Sequence, residues 1–399
     1  MRILVTTQQW FPDSAGGVAR VAHATALGLA ARGHKIVVIA PKCDDKATKE
    51  SEDGLEVRRL IRRHWAVPLT AADVVEIRRL VRAGADERFD VVLGHGAGSV
   101  VGASAALTTT PIVYVFHASG VLEERFRRSA GLPRVDKARS LLVEPMLLWL
   151  ERAAAARASK VIVLSQYSQQ LLSQTQQSLE HVATVARGGV DIGEFSPAGD
   201  RLTLRESLGI AQDQTLLLSV RRLVRRMGID VLLRAVSQLR ERDRSIRLVV
   251  VGDGEMQLTL ERERDRLGLR AHVAFLGRLP DVDLLRWYQA ADLFVLPTVA
   301  YEGFGMVTCE ALACGTPVVG TRVGATSEIL EALDPDLLAA TPTDDGLVAA
   351  MGQALNHAGP ELRVRCRRYA ESRLSWERAL DRWEAALQKT AKTSAPQLT

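Results

Sequence analysis

Cysteine is scarce in this 399-residue chain. The four present, Cys43, Cys309, Cys314 and Cys366, form no CxxC pair and have no histidine at metal-ligand spacing. That excludes a disulfide framework and a zinc knuckle, and free buried thiols in a reducing compartment are expected. Aromatic residues make up only 5% and are not interleaved with the basic ones, and no nucleic-acid recognition motif occurs. Nucleic acid is therefore not an expected partner. No uninterrupted run of about 18 apolar residues exists, so no membrane-spanning helix is expected. Met1-Arg2-Ile3-Leu4-Val5 reads as a core strand, without the long apolar stretch and small-residue cleavage site of a signal peptide. A cytoplasmic protein is expected.

What is present fits a globular protein: 47% hydrophobic and 25% charged residues, at a length that admits two or three domains. The net charge of +5 admits nucleic acid, anionic lipid or a phosphorylated small molecule, and composition does not choose among them.

Short Val- and Ile-rich runs alternate with segments of helical period. Strands are predicted at Ile3–Thr6, Lys35–Ala40, Val57–Leu60, Val91–Leu93, Ile112–Phe116, Val161–Leu164 and Val182–Val185. Between them helices are predicted at Val18–Ala31, Ala71–Ala85 and Ala138–Ala156, the last kinked or restarted at Pro145. Val190–Gln214 breaks the pattern and reads as an interdomain connection. The alternation then resumes with strands Leu216–Val220, Leu248–Val251, Val273–Leu276, Leu293–Leu296 and Val318–Gly320. Continuous apolar strands separated by helices signal parallel sheets covered on both faces. Two such α/β units imply an intervening cleft, with ligands beyond the carboxyl ends of the strands. The expected boundaries are 1–195, 196–372, and 373–399 for a C-terminal helix and tail; the helix packs either back on the N-terminal domain or only on its own domain, and the sequence does not separate the two. On that helical stretch, Glu361–Lys389, Trp376 and Trp383 share one face.

The most specific segment runs from Glu302-Gly303-Phe304-Gly305-Met306-Val307-Thr308 through Glu310 to Gly315-Thr316-Pro317-Val318. A glycine-flanked loop opens a helix there, and two glutamates eight positions apart bracket the helix start. Free amides near Gly305–Thr308, with the helix dipole, suit a diphosphate. In continuous helix, Glu302 and Glu310 would stand about 12 Å apart along the axis. A nucleotide sugar has a charged middle and two polyol ends, so one carboxylate can take the sugar hydroxyls and the other the ribose.

This stretch resembles the Glu-x7-Glu motif of retaining glycosyltransferases with the GT-B fold, specifically glycosyltransferase family 4. The resemblance extends along most of the chain. Gly16-Gly17 resembles the family's glycine loop, and His117 its active-site histidine beside the transferred sugar. Arg222 matches the phosphate-binding arginine. The family's lysine, five residues on, is replaced by Met227 before Gly228, and the adjacent Arg225 or, by preference, Arg226 stands in. Gly277-Arg278 resembles the segment that meets the nucleobase; a surface turn is the plainer alternative. Thr308 adds a hydroxyl to the phosphates, and Gly324, Ala325, Thr326 and Glu328 form a further loop typical of the family.

The resemblance implies an α/β fold of two Rossmann-like domains. It also implies transfer of a sugar from a nucleotide-diphosphate donor, UDP-sugar favoured and GDP-sugar admissible, with retention and no metal or other cofactor. His117, Arg222 and Glu302 are the expected catalytic residues. Expected donor contacts are Gly16, Gly17, Arg226, Gly277, Arg278, Gly303, Phe304, Gly305, Met306, Val307, Thr308 and Glu310. Fixed guanidinium groups and helix amides then carry the charge of the departing diphosphate. Asp281 and Asp283, which open a predicted helix, and Asp253 at a strand-to-helix turn read as caps rather than metal ligands. The acceptor, a glycan, lipid-linked or small molecule, is expected on N-terminal loops including Gln9, Trp10, Asp13 and Ala118–Arg139. Arg125, Arg127, Arg128, Arg134, Lys137 and Arg139 precede the apolar Leu141-Leu142-Val143 and Met146–Leu150. A solvated basic face is the plainer reading, and a peripheral membrane contact the alternative. Two other readings stand beside transfer: a nucleotide-sugar-binding regulatory protein without turnover, and a nucleotide-sugar epimerase.

Overall fold

The computed structural model describes residues 1–14, 16–42, 49–60, 71–82, 88–129, 134–176, 179 and 183–393. The chain forms two compact units, Met1–Gly188 with Trp376–Thr399, and Gly189–Ser375. Cys43 lies outside the described residues; Cys309, Cys314 and Cys366 are buried free thiols.

The first unit begins β1 (Arg2–Thr7), α1 (Gly17–Ala31), β2 (Lys35–Ala40), β3 (Lys49–Glu52) and β4 (Leu55–Arg59). It continues with α2 (Ala71–Arg82), β5 (Val91–His95), α3 (Ala97–Ala106), β6 (Ile112–Phe116) and α4 (Gly120–Ser129). Then come α5 (Arg134–Arg157), β7 (Lys160–Val163), α6 (Gln166–Thr175) and β8 (Ala183–Val185). The sheet order is β3-β4-β2-β1-β5-β6-β7-β8, all parallel except the edge strand β3, which the apolar pattern does not announce. Ile3, Leu4 and Val5 of β1 and Val91, Val92 and Leu93 of β5 are wholly buried, as a parallel sheet covered on both faces requires. Pro145 sits inside α5, which runs through it rather than restarting.

The second unit holds α7 (Arg201–Ser207), β9 (Thr215–Val220), α8 (Ile229–Arg242), β10 (Ile246–Val251) and α9 (Gln257–Arg266). β11 (Val273–Phe275), α10 (Asp281–Ala290), β12 (Leu293–Leu296), α11 (Met306–Ala313) and β13 (Val318–Thr321) follow. α12 (Thr326–Leu330), β14 (Leu338–Ala339), α13 (Asp344–Asn356) and α14 (Pro360–Tyr369) complete it. Its parallel sheet is ordered β11-β10-β9-β12-β13-β14. The chain thus winds outward from β9, returns, and winds the other way from β12. The crevice beyond the carboxyl ends of β9 and β12 is the switch point where ligands of such sheets bind.

Two expectations are corrected here. The connection Val190–Gln214 contains α7, nucleated by Asp200, whose carboxylate accepts from the amides of Leu202 and Thr203 at 3.1 Å. The stretch Glu361–Lys389 is not one helix. A π-helical turn over Ala370–Leu374 and extended Ser375 separate α14 from α15 (Trp376–Thr393). The unit boundaries fall at Gly188/Gly189 and Ser375/Trp376, where the sequence reading set 195/196 and 372/373.

α15 packs on α1 of the first unit. A Cβ on Gly28 would lie 2.2 Å from the Leu380 side chain, so the two helices meet closely at this glycine. Arg32 bonds Glu384 at 2.9 Å and Asp381 at 2.8 Å. Trp383 is fully buried and donates through Nε1 to the Arg187 carbonyl at 3.0 Å.

Candidate active site

Two arginines leave β9 together and turn apart. Arg222 is exposed, while Arg221 is buried at the switch point. The Arg221 guanidinium donates to the Glu302 carboxylate and, at 3.0 Å, to the Thr298 hydroxyl. Thr298 in turn donates to the same oxygen, Glu302 Oε2, at 3.1 Å. Glu302 is held from behind as well. Gly324 has φ +63°, and a Cβ there would stand 2.3 Å from the Glu302 carbonyl, which accepts from the Ala325 amide at 2.9 Å. Side chain and backbone of Glu302 are thus fixed independently.

Gly305, with φ +87°, ends the loop and opens α11 without a side-chain cap. The amides of Thr308 and Cys309 return to the Gly305 carbonyl, and those of Met306 and Val307 stand in the first turn, where a helix has no internal acceptor. The buried Thr308 hydroxyl has no hydrogen-bond partner among the described residues. Open amides, a positive helix end and an unpartnered hydroxyl make a cradle for an anion. Deeper in α11, buried Glu310 accepts from the Tyr288 hydroxyl at 2.8 Å. Because α11 starts at Met306, Glu302 precedes it, and the 12 Å axial spacing expected of continuous helix does not apply.

The remaining loops of this crevice differ from expectation in detail. Arg226 is buried in a 3-10 turn over Arg225–Met227 and donates to the Tyr301 carbonyl at 3.0 Å. The Met227 sulfur lies between Arg226 and Arg221. Arg278 pairs with Asp253 at 2.8 Å. Asp253 is therefore an ion-pair partner and not the cap of α9, whose N-cap is Met256. Nor do Asp281 and Asp283 cap α10. Pro280 holds that position, and both carboxylates lie in the first turn, where they meet the positive helix end. Gly277 has φ +66°.

In the first unit, β5 ends on His95 and β6 is followed by His117. Adjacent parallel strands bring the two rings together, His95 Nδ1 to His117 Nε2 at 3.1 Å, with centroids 5.3 Å apart. Burial lowers the pKa of both, that of His117 to about 4. Trp383 stacks on His95, with ring centroids 6.2 Å apart and planes 12° from parallel. Gly16 is the N-cap of α1, and a Cβ there would lie 2.8 Å from the Gln9 side-chain oxygen; nothing crowds Gly17.

Two residues expected on the acceptor loops also make contacts within the fold. Trp10 is buried edge-on against His23, and Asp13 bonds buried Arg59 at 2.5 Å. In the segment after His117, Glu151 accepts from Ser119 at 3.0 Å and from the Val121 amide at 3.2 Å, which fixes the start of α4. Arg125 and Arg128 both grip Glu144 at 2.6 Å. The side chains of Arg134, Lys137 and Arg139 lie outside the described residues. Among the described residues no helix is long and apolar enough to cross a membrane, and none of their His, Cys, Asp and Glu side chains group for a metal.

The sequence reading missed Arg221, Thr298, His95 and Tyr288. For Arg221 the signal was its position directly after a central strand. For His95 it was a histidine that closes the strand beside the one leading to His117.

Two doubly wound parallel sheets of these orders are the architecture of GT-B glycosyltransferases. The HepE protein of Anabaena, solved in complex with UDP and glucose, superposes with a TM-score of 0.76 at 21% identity, over 97% of this chain and 99% of its own. The chain belongs to glycosyltransferase family 4: residues 15–194 match Glycosyltransferase Family 4 and residues 200–373 match Glycosyl transferases group 1. An uncharacterized glycosyltransferase of Methanocaldococcus jannaschii is 30% identical over 83% of either chain. A GDP-mannose-dependent alpha-(1-6)-phosphatidylinositol monomannoside mannosyltransferase of Mycolicibacterium smegmatis is 28% identical over 88% of either chain.

Proposed function

We propose that this glycosyltransferase takes its sugar from a nucleoside diphosphate donor, retains the anomeric configuration and needs no metal. The observation that carries the proposal is the start of α11, where open amides and the unpartnered Thr308 hydroxyl adjoin the loop that clamps Glu302. Cleavage of the sugar–phosphate bond builds negative charge on the diphosphate. Helix amides, Thr308, Arg222 and Arg226 receive that charge without reorganising. Glu302 takes hydroxyls of the transferred sugar and Glu310 those of the ribose. On the first unit His117 contacts the transferred sugar. For retention, the departing phosphate oxygen accepts the acceptor hydroxyl's proton on the face it leaves, so no carboxylate base is needed.

We take UDP as the donor nucleotide, the one bound in Anabaena HepE. GDP, the donor nucleotide named for the mycolicibacterial relative, is the alternative. Incubation with labelled nucleotide sugars in the presence of EDTA tests the proposal. Transfer without added Mn²⁺, with the donor's anomeric configuration in the first product, is expected. A strict Mn²⁺ requirement would refute the metal-free site. Binding without transfer or donor hydrolysis would favour the regulatory reading, and sugar interconversion without release of nucleoside diphosphate the epimerase.

A second observation concerns location. Leu141, Leu142, Pro145 and Trp149 are exposed along α5, Leu142 by 79% and Trp149 by 59%. We propose that this face, beside the arginines of α4, rests on an anionic membrane surface on the cytoplasmic side. Tryptophan and leucine enter the headgroup boundary and arginine meets lipid phosphate.

A further inference from the structure

His95 is fully buried and reaches His117 through a single contact, Nδ1 to Nε2 at 3.1 Å. Burial keeps both rings neutral at physiological pH. A neutral pair joined by one hydrogen bond has one donor and one acceptor, which allows two arrangements. In the first, His117 donates from Nε2, so His95 carries its own proton on its Nε2. That buried atom has no hydrogen-bond partner among the described residues. The Trp383 face does not serve either. An N–H lies in the plane of its ring, and the His95 plane is within 12° of parallel to the indole. A buried N–H would be orphaned, which native structures rarely tolerate. In the second arrangement His95 donates from Nδ1 to His117 Nε2, and the unpartnered atom is only a lone pair.

We infer that His95 is a positioning residue that locks His117 in the tautomer protonated on Nδ1, so that His117 meets its substrate oxygen as an N–H donor and not as a base. The inference rests on the proposed role of His117 at the transferred sugar. The ring nitrogen that is not engaged decides what an imidazole offers, and the engaged one sets it. Here the Nε2 lone pair of His117 is occupied by His95. Trp383, anchored on the Arg187 carbonyl at 3.0 Å, backs the His95 ring and holds its plane. α15 thereby reaches the site without touching substrate. A His117 of this kind binds a sugar oxygen and leaves proton acceptance to the departing phosphate.

Long-range ¹H–¹⁵N correlation of the full chain with ¹⁵N-labelled histidine at neutral pH reads the tautomers directly. His117 and His95 are both expected to carry the proton on Nδ1. His95→Asn keeps a donor near the Nδ1 position and is expected to preserve the His117 tautomer and most of the activity. His95→Leu removes the donor. It is expected to redistribute the His117 tautomers and to lower kcat about tenfold or more. Donor KM should rise as well, because His117 also holds a sugar oxygen of the bound donor. A His117 protonated on Nε2 in the wild-type protein overturns the inference, whether or not the variants fold. Unimpaired transfer by His117→Ala would instead remove the catalytic reading of His117 and leave the tautomer assignment standing.

Discussion

Arg221 and Glu302 form a buried ion pair across the two strand ends where the C-terminal sheet reverses its order. Thr298 bonds both members, so the pair is a closed three-residue network with its carboxylate at the ligand crevice. A charge taken out of water in this way is tolerable only while its partner remains. The Glu302 position is therefore costly to alter for the fold as well as for the reaction.

Glu302→Gln keeps the shape of the side chain and removes its charge. It leaves Arg221 buried without a counter-charge, and a stability loss of about 3 kcal/mol is expected in denaturant unfolding. Transfer should fall by about a hundredfold or more, since a preorganised electrostatic contact is lost. Unchanged activity at unchanged stability would contradict both roles.

Thr308→Val separates function from folding. The hydroxyl has no partner within the described protein, so its removal should leave Tm unchanged or slightly raised. Affinity for a nucleoside diphosphate, measured calorimetrically, should drop about tenfold through one lost hydrogen bond to a charged group. A destabilised variant with unaltered affinity would assign Thr308 to the core.

The histidine pair makes stability depend on pH. His117 is held down to about 4 by burial, and His95 is lowered as well, whereas the unfolded chain titrates near the ordinary 6.5. Between those values the unfolded state binds more protons than the folded one, so stability rises with pH there. The contribution is complete above pH 6.5 and is lost as pH falls toward 4. Urea midpoints at pH 7 and pH 5 should differ in the wild type, and differ less in a His95→Asn, His117→Asn double variant.

The exposed face of α5 gives a prediction that leaves the reaction untouched. Leu142→Glu and Trp149→Glu should abolish sedimentation with phosphatidylglycerol vesicles, with little change in Tm or in transfer to a soluble acceptor. Equal sedimentation of wild type and variants would remove this face as a lipid contact. A concentration-dependent dimer that the same substitutions dissolve would assign the face to a second copy.

The alternation of apolar runs and helical segments was enough to read two parallel sheets, because strands buried on both faces leave an unbroken Val, Ile and Leu signature. The helix start at Met306 was legible for a local reason: glycines flank it and carboxylates bracket it. What escaped depended on the third dimension. Arg221 and Arg222 are neighbours in sequence, and only the twist at the end of β9 decides which one turns inward. His95 and His117 meet because β5 and β6 are adjacent, and Trp383 joins them from the far end of the chain. The break at Ser375, which frees α15 to pack on α1, carries no proline or glycine to announce it.

The most direct test is a crystal of the full chain soaked with UDP. Phosphate oxygens are expected within hydrogen-bonding distance of the Met306 and Val307 amides and the Thr308 hydroxyl, with the ribose hydroxyls on Glu310. A nucleotide bound elsewhere, with the start of α11 vacant, would contradict the account.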